Sequence, residues 1–435
     1  MSLNVTQLGF SDKIGGAAIA SLRLNEALNQ NNSLDVSSSL RVSSKITNIT
    51  EVHELFNSPL LKFWNKRLPS LNQKLILNFK SKYNSYNNYA LLPTGLYSHI
   101  KSYLRTKTDI VNMHWLGSNM LSIWEIGMLP SNILWTMHDQ WAFCGGEHYD
   151  TNSIMGSDKD GVSSRFARSY TAKSRSTTES GFDINRLCWN LKKRFWTNFN
   201  PMIICPSNWM KSCVEKSVLF EASKIRVIPN CIDTNKWLAI DKSLARNLLG
   251  LQQEAKILLF GAFSDLSDKR KGGDLLIASI NHLIATNNYR SNVQLLVFGP
   301  SSRVMSRNLK CPVHFLGHLD NDISLIAAYS AADVVLLPSR LDNLPNVGLE
   351  AFSCSTPLVA FNSGGVVDIV DDMMDGRISP DFSPISFSAC ISWCIDDPDR
   401  LFRLGINARK KAVSKWSYNR ISNLYFEAYS DLSKA

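Results

Sequence analysis

The stretch DVVLLPSRLDNLPNVGLE, residues 333–350, carries the clearest signal for the fold. It begins with an apolar run at 333–338, passes through a polar loop, and enters a helical pattern near Val347. A short apolar run bounded by turn residues is typical of a buried strand in a parallel sheet. In open sheets of this kind, ligands bind just beyond the carboxyl ends of the strands. The stretch therefore predicts a strand, a ligand-binding loop and a helix, in that order.

The same alternation continues through both halves of the chain. In the C-terminal half, further candidate strands lie at 255–261, 293–299, 314–317 and 357–361. In the N-terminal half, they lie at 3–8, 109–113, 133–137 and 202–205. Short apolar strands that alternate with helices predict βαβ units around a parallel sheet. We therefore predict an α/β protein with two Rossmann-like, doubly wound domains.

The length of 435 residues exceeds that of a single hydrophobic core. The polar segment 228–237 contains Pro and Asn, which favour turns, and we place the domain junction there. The predicted units are an N-terminal domain over 1–232 with an insertion at about 150–183, a C-terminal domain over 233–415, and a C-terminal helix over 416–435. This last helix is compatible with packing back on the N-terminal domain.

The composition indicates which cellular compartment and which cofactors to expect. The chain has no apolar run of about 18 residues, which predicts no membrane-spanning helix. Its N-terminus lacks a basic region followed by an apolar one, so we expect a cytoplasmic location. The nine cysteines are scattered without the C-x2-C spacing of zinc or redox sites. We expect free thiols and no metal site.

The segment 57–108 carries nine Lys or Arg residues and no Asp or Glu, interleaved with apolar residues. Two interpretations stay open for it. A basic amphipathic helix can lie on an anionic membrane surface, and it can equally be a solvated helix that covers the N-terminal sheet. Nucleic acid is not an expected partner, because base-stacking and groove-reading motifs are missing from the sequence.

Two carboxylates, Asp342 and Glu350, flank the loop that follows the strand at 333–338, with seven residues between them. Such a pair offers acceptors for the hydroxyls of a sugar or ribose, and the backbone N–H groups between them can meet phosphate oxygens. The spacing alone leaves a second interpretation open. Glu350 would then cap or salt-bridge its helix, and Asp342 would close a turn.

The segment 342–350 resembles the Glu-x7-Glu motif of family 4 (group 1) glycosyltransferases, with Asp342 in the place of the first Glu. The resemblance implies a GT-B fold, in which two Rossmann-like domains face a cleft. It implies a retaining, metal-independent, hexosyltransferase-type enzyme that takes a sugar from a nucleotide-diphosphate sugar and needs no further cofactor. In the family the first acid contacts the donor sugar and the second contacts the ribose, while the loop backbone, here Asn343, Leu344 and Pro345, approaches the sugar and the diphosphate.

Lys271, followed by two glycines, resembles the family's Lys-Gly element, where an Arg and a Lys neutralise the donor diphosphate. Phe263 stands in the place of that Arg, and Arg270 is its candidate substitute. A cation is needed because the leaving group is a nucleoside diphosphate. Without this context, the basic run 269–271 would be interpreted as a solvated loop.

In the N-terminal half, Gly15 and Gly16 resemble the family's glycine-rich first loop, whose following helix faces the donor phosphate and the acceptor. A plain helix turn is the alternative. His138 resembles the family's strand-end His near the reacting sugar carbon, where it would donate a hydrogen bond to the donor sugar or orient the acceptor. His114 and Trp115, which end an earlier strand, either line the same cleft or pack in the core.

The expected site divides into two groups. The residues expected to carry catalysis are His138, Lys271, Asp342 and Glu350, and those expected to bind the donor are Gly15, Gly16, Arg270, Asn343, Leu344, Pro345 and Glu350.

The basic segment 57–108 favours a lipid-linked or anionic glycan acceptor near the membrane. The setting that we expect is polysaccharide or lipopolysaccharide biosynthesis, with the protein peripheral on the inner face of the membrane. Two rival classes remain. A dinucleotide enzyme would need a G-x-G-x-x-G pattern after the first strand, which Gly9, Gly15 and Gly16 do not form. A catalytically silent glycan- or membrane-binding relative is kept open by Phe263, Asp342 and Cys231, which depart from the family pattern.

Overall fold

The structure is a computed structural model. It describes residues 2–434 except 56–57, 61, 65–66, 68–69, 72–73, 75–87, 118, 131, 151–163, 176–179, 262–267, 287–291 and 300–307. The chain divides into two compact units, one formed by the residues up to Ile228 together with those from Ser422 onward, and the other by Pro229–Ile421. Most of the basic segment 57–108 that precedes residue 88, much of the 150–183 insertion, and Phe263 lie outside the described residues.

The N-terminal unit is built on a seven-stranded parallel sheet with strand order β3-β2-β1-β4-β5-β6-β7. Its strands are β1 (Leu3–Ser11), β2 (Val36–Ser44), β3 (Val52–Glu54), β4 (Ile110–Met113), β5 (Ile133–Thr136), β6 (Met202–Cys205) and β7 (Ile225–Val227). The helices with described bounds are α1 (Gly16–Gln30), α2 (Leu96–Lys107), α3 (Ile123–Gly127), α4 (Ile184–Phe195) and α5 (Asn208–Glu215).

The C-terminal unit is built on a six-stranded parallel sheet with strand order β10-β9-β8-β11-β12-β13. Its strands are β8 (Lys256–Gly261), β9 (Val293–Phe298), β10 (Val313–Gly317), β11 (Val334–Leu337), β12 (Leu358–Phe361) and β13 (Gly376–Ser379). Its helices with described bounds are α6 (Lys242–Leu248), α7 (Gly273–Thr286), α8 (Asp322–Ala331), α9 (Asn346–Ser353), α10 (Pro384–Ile395) and α11 (Pro398–Trp416).

The chain ends in helix α12 (Tyr418–Ser433), whose residues from Ser422 onward belong to the N-terminal unit. Two tyrosines of this helix bond to the central strands. The hydroxyl of Tyr425 lies 3.1 Å from Thr136 Oγ1 in β5, and the hydroxyl of Tyr429 accepts from Gln7 Nε2 in β1 at 3.1 Å. The last helix thus satisfies polar side chains that the sheet buries.

Burial explains why the apolar runs form the central strands. All four residues of β11 and all four of β12 are buried, as expected for strands covered by helices on both faces. The strand order of both sheets is that of a Rossmann fold. The prediction of an α/β protein with two Rossmann-like domains is therefore confirmed. All nine cysteines are free thiols, as the sequence predicts.

The strand order positions the candidate site. In each sheet the order reverses at one point, between β1 and β4 in the N-terminal unit and between β8 and β11 in the C-terminal unit. Loops that leave the carboxyl ends of the strands at such a switch point form the usual ligand crevice. The two loops that follow β8 and β11, and those that follow β1, β4 and β5, carry the predicted site residues.

Candidate functional site

In the C-terminal unit, the loop after β11 and the turn before α7 bring three predicted residues together. Lys271 Nζ lies 2.6 Å from Asp342 Oδ2. Arg270 Nη1 lies 3.7 Å from Asp342 Oδ1 and donates a hydrogen bond to the Leu341 carbonyl at 3.2 Å. The structure therefore places two cations against one carboxylate at the switch point of this sheet.

The charges of this cluster set the protonation of Asp342. Burial of the carboxyl would by itself raise its pKa, but the Lys271 ammonium and the Arg270 guanidinium outweigh that effect and hold the pKa of Asp342 below its usual value. Asp342 Oδ1 also accepts from the backbone N–H of Asn343 at 3.1 Å. The carboxylate is consequently ionised at neutral pH and remains an acceptor.

Two glycines, Gly364 and Gly272, lie where another part of the backbone approaches this loop too closely for a side chain to fit. The N–H of Gly365 donates to the Asp342 carbonyl at 2.9 Å. Gly364 has a φ of 56°, and a Cβ there would lie 2.2 Å from the Asp342 carbonyl oxygen. Gly272 has a φ of 68°, and its Cβ would lie 1.9 Å from the Pro338 carbonyl oxygen. Glycine is therefore required at both positions, one beside each half of the cluster.

Glu350 lies inside α9 and is buried, with 5% of its surface exposed. Its Oε2 accepts a hydrogen bond of 2.8 Å from the Tyr329 hydroxyl, which α8 supplies. Pro345 immediately precedes α9, and the carbonyl of Leu344 accepts from Asn230 Nδ2 at 3.1 Å. The loop 343–345 is thus held by Asn230 and runs directly into α9, where Glu350 is buried past the first turn of the helix.

In the N-terminal unit, Gly15 and Gly16 form the turn from β1 into α1. Gly15 has a φ of 90°, and a Cβ there would meet no atom within 4 Å. Because Gly15 is the N-cap and offers no side chain, the first turn of α1 receives no side-chain cap from it. Such a helix start suits an anion, because its first N–H groups lack intrahelical partners.

His138 and His114 follow the adjacent strands β5 and β4, and the structure brings them into contact. His114 Nδ1 lies 2.9 Å from His138 Nε2, and the two rings stack with centroids 5.2 Å apart. With Trp115 they line a cavity of about 10 Å³, close to the space that one water molecule needs. Burial lowers the pKa of His138 to about 4 and that of His114 well below its usual value. Both imidazoles are therefore neutral at neutral pH.

Asp139, which follows His138 in the sequence, bonds to Trp115 after β4 and to His148 in the loop after β5. Its Oδ2 accepts from Trp115 Nε1 at 2.8 Å and lies 2.6 Å from His148 Nδ1. Burial alone would raise the pKa of Asp139, but His148 and the hydrogen bonds to the carboxylate lower it. The sequence did not single out Asp139 or His148, and it did not predict the pairing of His114 with His138. The available signal was that two histidines each directly follow strands which pair in parallel.

Two parallel sheets of Rossmann order, each with polar loops at its switch point, define the GT-B class of fold. Solved structures agree over the whole chain. Sucrose-phosphate synthase from Thermosynechococcus elongatus is 18% identical, covers 99% of each chain and has a TM-score of 0.66. Anabaena Alr3699/HepE, in complex with UDP and glucose, is 16% identical, covers 99% of this chain and 100% of its own, and has a TM-score of 0.62.

Two family models match the sequence. One, described as "Glycosyltransferase Family 4", matches residues 63–236, and the other, described as "Glycosyl transferases group 1", matches residues 254–397. The chain belongs to the group 1, or family 4, glycosyltransferases.

Curated relatives match part of the chain. A D-inositol 3-phosphate glycosyltransferase from Segniliparus rotundus is 30% identical over 42% of each protein. A GDP-mannose-dependent monoacylated alpha-(1-6)-phosphatidylinositol monomannoside mannosyltransferase from Corynebacterium glutamicum is 27% identical over 45% of this chain and 55% of its own length. The matches thus span about half the length of these curated relatives.

Proposed function

We propose that the protein transfers a sugar from a nucleotide-diphosphate sugar to a glycan or lipid-linked acceptor, with retention of anomeric configuration and without a metal ion. The observation that carries this proposal is the contact of Lys271 and Arg270 with Asp342 at the switch point of the C-terminal sheet. Such a donor carries a diphosphate, whose negative charge the two cations can neutralise. It also carries sugar hydroxyls, from which the carboxylate can accept hydrogen bonds.

Each residue of the C-terminal site then has a defined role. Lys271 and Arg270 neutralise the charge that develops on the leaving diphosphate, which is the largest electrostatic demand of the reaction. Asp342 accepts a hydrogen bond from a hydroxyl of the donor sugar. Glu350, held by the Tyr329 hydroxyl, accepts from the ribose hydroxyls.

We assign no protein nucleophile. On the proposed mechanism the acceptor attacks the face of the sugar that the diphosphate leaves, and a donor phosphate oxygen takes the proton of the attacking hydroxyl. Orientation of the two substrates supplies most of the rate enhancement on this mechanism. Gly15 and Gly16 would admit an anionic group to the start of α1, and His138 would contact the reacting sugar or the acceptor.

The relatives and one exposed segment support the acceptor class that we propose. The curated relatives are named for inositol phosphate and phosphatidylinositol mannoside substrates, which supports a phosphorylated or lipid-linked acceptor here. Leu60, Phe63 and Trp64 are 80%, 56% and 44% exposed, and the Arg67 guanidinium lies 4.5 Å from the Phe63 ring centre. Exposed apolar and basic side chains in one segment favour contact with an anionic membrane surface.

The setting we propose is polysaccharide or lipopolysaccharide assembly on the inner face of the membrane. In the part of the chain that the structure describes, no helix has both the length and the apolar character that a membrane span requires.

A thermal-shift screen tests the proposal. The ligands are UDP, GDP, ADP, dTDP and CMP, each with and without EDTA, and NAD serves as the comparison. A ligand that binds only the folded state raises its apparent stability. We expect a shift with one nucleoside diphosphate that EDTA does not alter, followed by turnover of the matching sugar nucleotide. A shift with NAD alone would contradict the proposal, and a shift without turnover would indicate a silent relative.

A further inference from the structure

Arg340, in the loop after β11, contacts the basic turn 269–271 through both its backbone and its side chain. Its backbone N–H donates a hydrogen bond to the Arg270 carbonyl at 2.7 Å. Its guanidinium Nη1 donates to the Lys269 carbonyl at 2.8 Å. One residue of the loop is therefore bonded to two consecutive carbonyls of the turn that supplies the cations of the candidate site.

Asp274, in the first turn of α7, holds the Arg340 guanidinium in a two-bond pair. Nη1 donates to Asp274 Oδ1 at 2.7 Å, and Nη2 donates to Asp274 Oδ2 at 2.6 Å. The hydrogen bond from Arg340 lowers the pKa of Asp274 below its usual value, so the carboxylate is ionised at neutral pH. Such a pair fixes the orientation of the planar guanidinium, and a lysine could not form it.

A third contact connects Arg340 to the glycine turn that follows β12. The Arg340 carbonyl accepts a hydrogen bond from the Ser363 hydroxyl. Two residues further on, the N–H of Gly365 donates to the Asp342 carbonyl at 2.9 Å. Arg340 thus bonds to three segments that surround the candidate site, which are the basic turn, the first turn of α7 and the glycine turn.

We infer that Arg340 is a positioning residue, which Asp274 holds and which fixes the basic turn in place before the donor diphosphate binds. This inference rests on the proposed function, because it assigns the diphosphate to the two cations of that turn. Long basic side chains lose conformational entropy when a ligand orders them, and a turn that is already fixed reduces this cost. Because the Asp274 carboxylate neutralises the charge of Arg340, the effect of Arg340 on the diphosphate acts through the turn.

Two substitutions separate positioning from a simple effect of charge. Arg340→Lys keeps the positive charge but loses the two-bond pair, so positioning predicts weaker binding of a diphosphate and charge alone predicts no change. Asp274→Ala removes a negative charge from the edge of the site, which by charge alone would tighten binding of an anion. Positioning predicts the opposite sign, because Arg340 loses the partner that holds it.

The test is isothermal titration calorimetry of the full chain. The ligands are whichever of UDP, GDP, ADP and dTDP the thermal-shift screen identifies, and the matching nucleoside monophosphate. We expect Arg340→Lys and Asp274→Ala each to weaken binding of the diphosphate roughly tenfold, the size of one charge-assisted hydrogen bond. The monophosphate should lose less, because it lacks the second phosphate. Unchanged or tighter binding of the diphosphate in either variant, or an equal loss for both ligands, overturns the inference.

Arg377→Lys is the matched control in the same unit. The Arg377 side chain is 21% exposed, close to the 18% of Arg340, and its Nε lies 2.9 Å from Asp372 Oδ1. Its guanidinium stacks on the Trp393 ring at 4.7 Å from the ring centre. We expect Arg377→Lys to leave diphosphate binding unchanged, and urea unfolding shows whether all the variants fold. A loss of affinity in Arg377→Lys equal to that in Arg340→Lys would overturn the inference.

Lys271→Met distinguishes a failure of this inference from a failure of the proposed function. It removes a proposed ligand of the diphosphate directly, so it should weaken diphosphate binding however the turn is held. Weaker binding in Lys271→Met together with wild-type binding in Arg340→Lys would leave the proposed function standing and overturn the inference. If the wild-type protein bound none of the four diphosphates, both would be overturned.

Discussion

Lys271 Nζ lies 2.6 Å from Asp342 Oδ2, so the cation proposed to hold the donor diphosphate is paired with the carboxylate proposed to hold the donor sugar. The two residues are 71 positions apart in the sequence and meet because β8 and β11 are neighbours in the sheet. On this proposal a bound donor contacts both residues, Lys271 with its diphosphate and Asp342 with its sugar. Substituting one residue at a time therefore measures the two contributions to donor binding separately.

Asp342→Asn separates these contributions. The amide keeps the size of the side chain but loses the charge that attracts Lys271, so the cation becomes more available to phosphate. We expect kcat/KM for the sugar nucleotide to fall roughly 10²-fold, while the nucleoside diphosphate, which has no sugar, binds equally well or more tightly. Isothermal titration calorimetry with kinetics measures both. Equal weakening of both ligands would show that Asp342 does not act through the sugar.

Glu350 offers a comparison between two substitutions. Glu350→Gln keeps an oxygen for the Tyr329 hydroxyl, whereas Glu350→Ala removes that acceptor and should cost about 1–3 kcal/mol of unfolding free energy. We expect both variants to fold and both to lose transfer, because the proposed ribose contact needs the carboxylate. Circular dichroism and a transfer assay test this. Wild-type turnover in a folded Glu350→Ala would remove the ribose assignment.

The two central histidines predict a dependence of stability on pH. The unfolded chain protonates His138 near pH 6.5, whereas the folded chain protonates it only near pH 4, because burial disfavours the charged ring. Between these values the unfolded state binds more protons, so stability falls as the pH falls through this window. Urea unfolding at pH about 7 and about 5 should show a smaller loss for His138→Gln than for the wild type. An equal loss would place the responsible groups elsewhere.

The sequence predicted the fold class and the buried central strands, because runs such as 334–337 are apolar throughout. It missed β2, whose residues VSSSLRVSS contain buried Ser38 where the pattern requires an apolar residue. The structure gives the reason, since Ser38 is buried to bond Gln7 and Asn25. Strand β7 was missed because it has only three residues, none of them fully buried.

The features of the candidate site also fall into two groups, those that the sequence predicted and those that only the structure shows. Asp342, Glu350 and Lys271 were found through their resemblance to family motifs, which are local in sequence. The contact between His114 and His138 depends on the register of β4 against β5, and that register is not encoded in either short motif. Pairings of this kind need the sheet order, which the sequence alone left unspecified.

Gly364→Ala tests whether the loop at Asp342 needs its close backbone contact. Both Gly364 and Gly250 have positive φ angles, of 56° and 66°, so alanine brings similar backbone strain of about 1–2 kcal/mol at each. Only at Gly364 would the new Cβ collide, 2.2 Å from the Asp342 carbonyl oxygen, whereas at Gly250 it meets nothing within 4 Å. We expect Gly364→Ala to weaken donor binding and Gly250→Ala to leave it unchanged. Equal affinity in the two variants would contradict a site at this loop.

Lys192 of α4 supports the loop that joins His138 to His148. It is fully buried, and its ammonium group donates to the carbonyls of Trp141, Cys144 and Gly145. Burial lowers its pKa to about 8, so at neutral pH it is still charged and a full donor.

Lys192→Met keeps the unbranched apolar stem of the side chain but leaves those three carbonyls without this donor, which should cost about 1–3 kcal/mol of unfolding free energy. Lys193→Met, at the exposed neighbouring position, is the control and should change stability by less than about 0.5 kcal/mol. Urea unfolding measures both. Because the loop carries Asp139 and His148, we also expect Lys192→Met to broaden the ring signals of His138 and His148 in NMR. Sharp, unshifted signals in a destabilised Lys192→Met would show that Lys192 stabilises the unit without positioning the histidines.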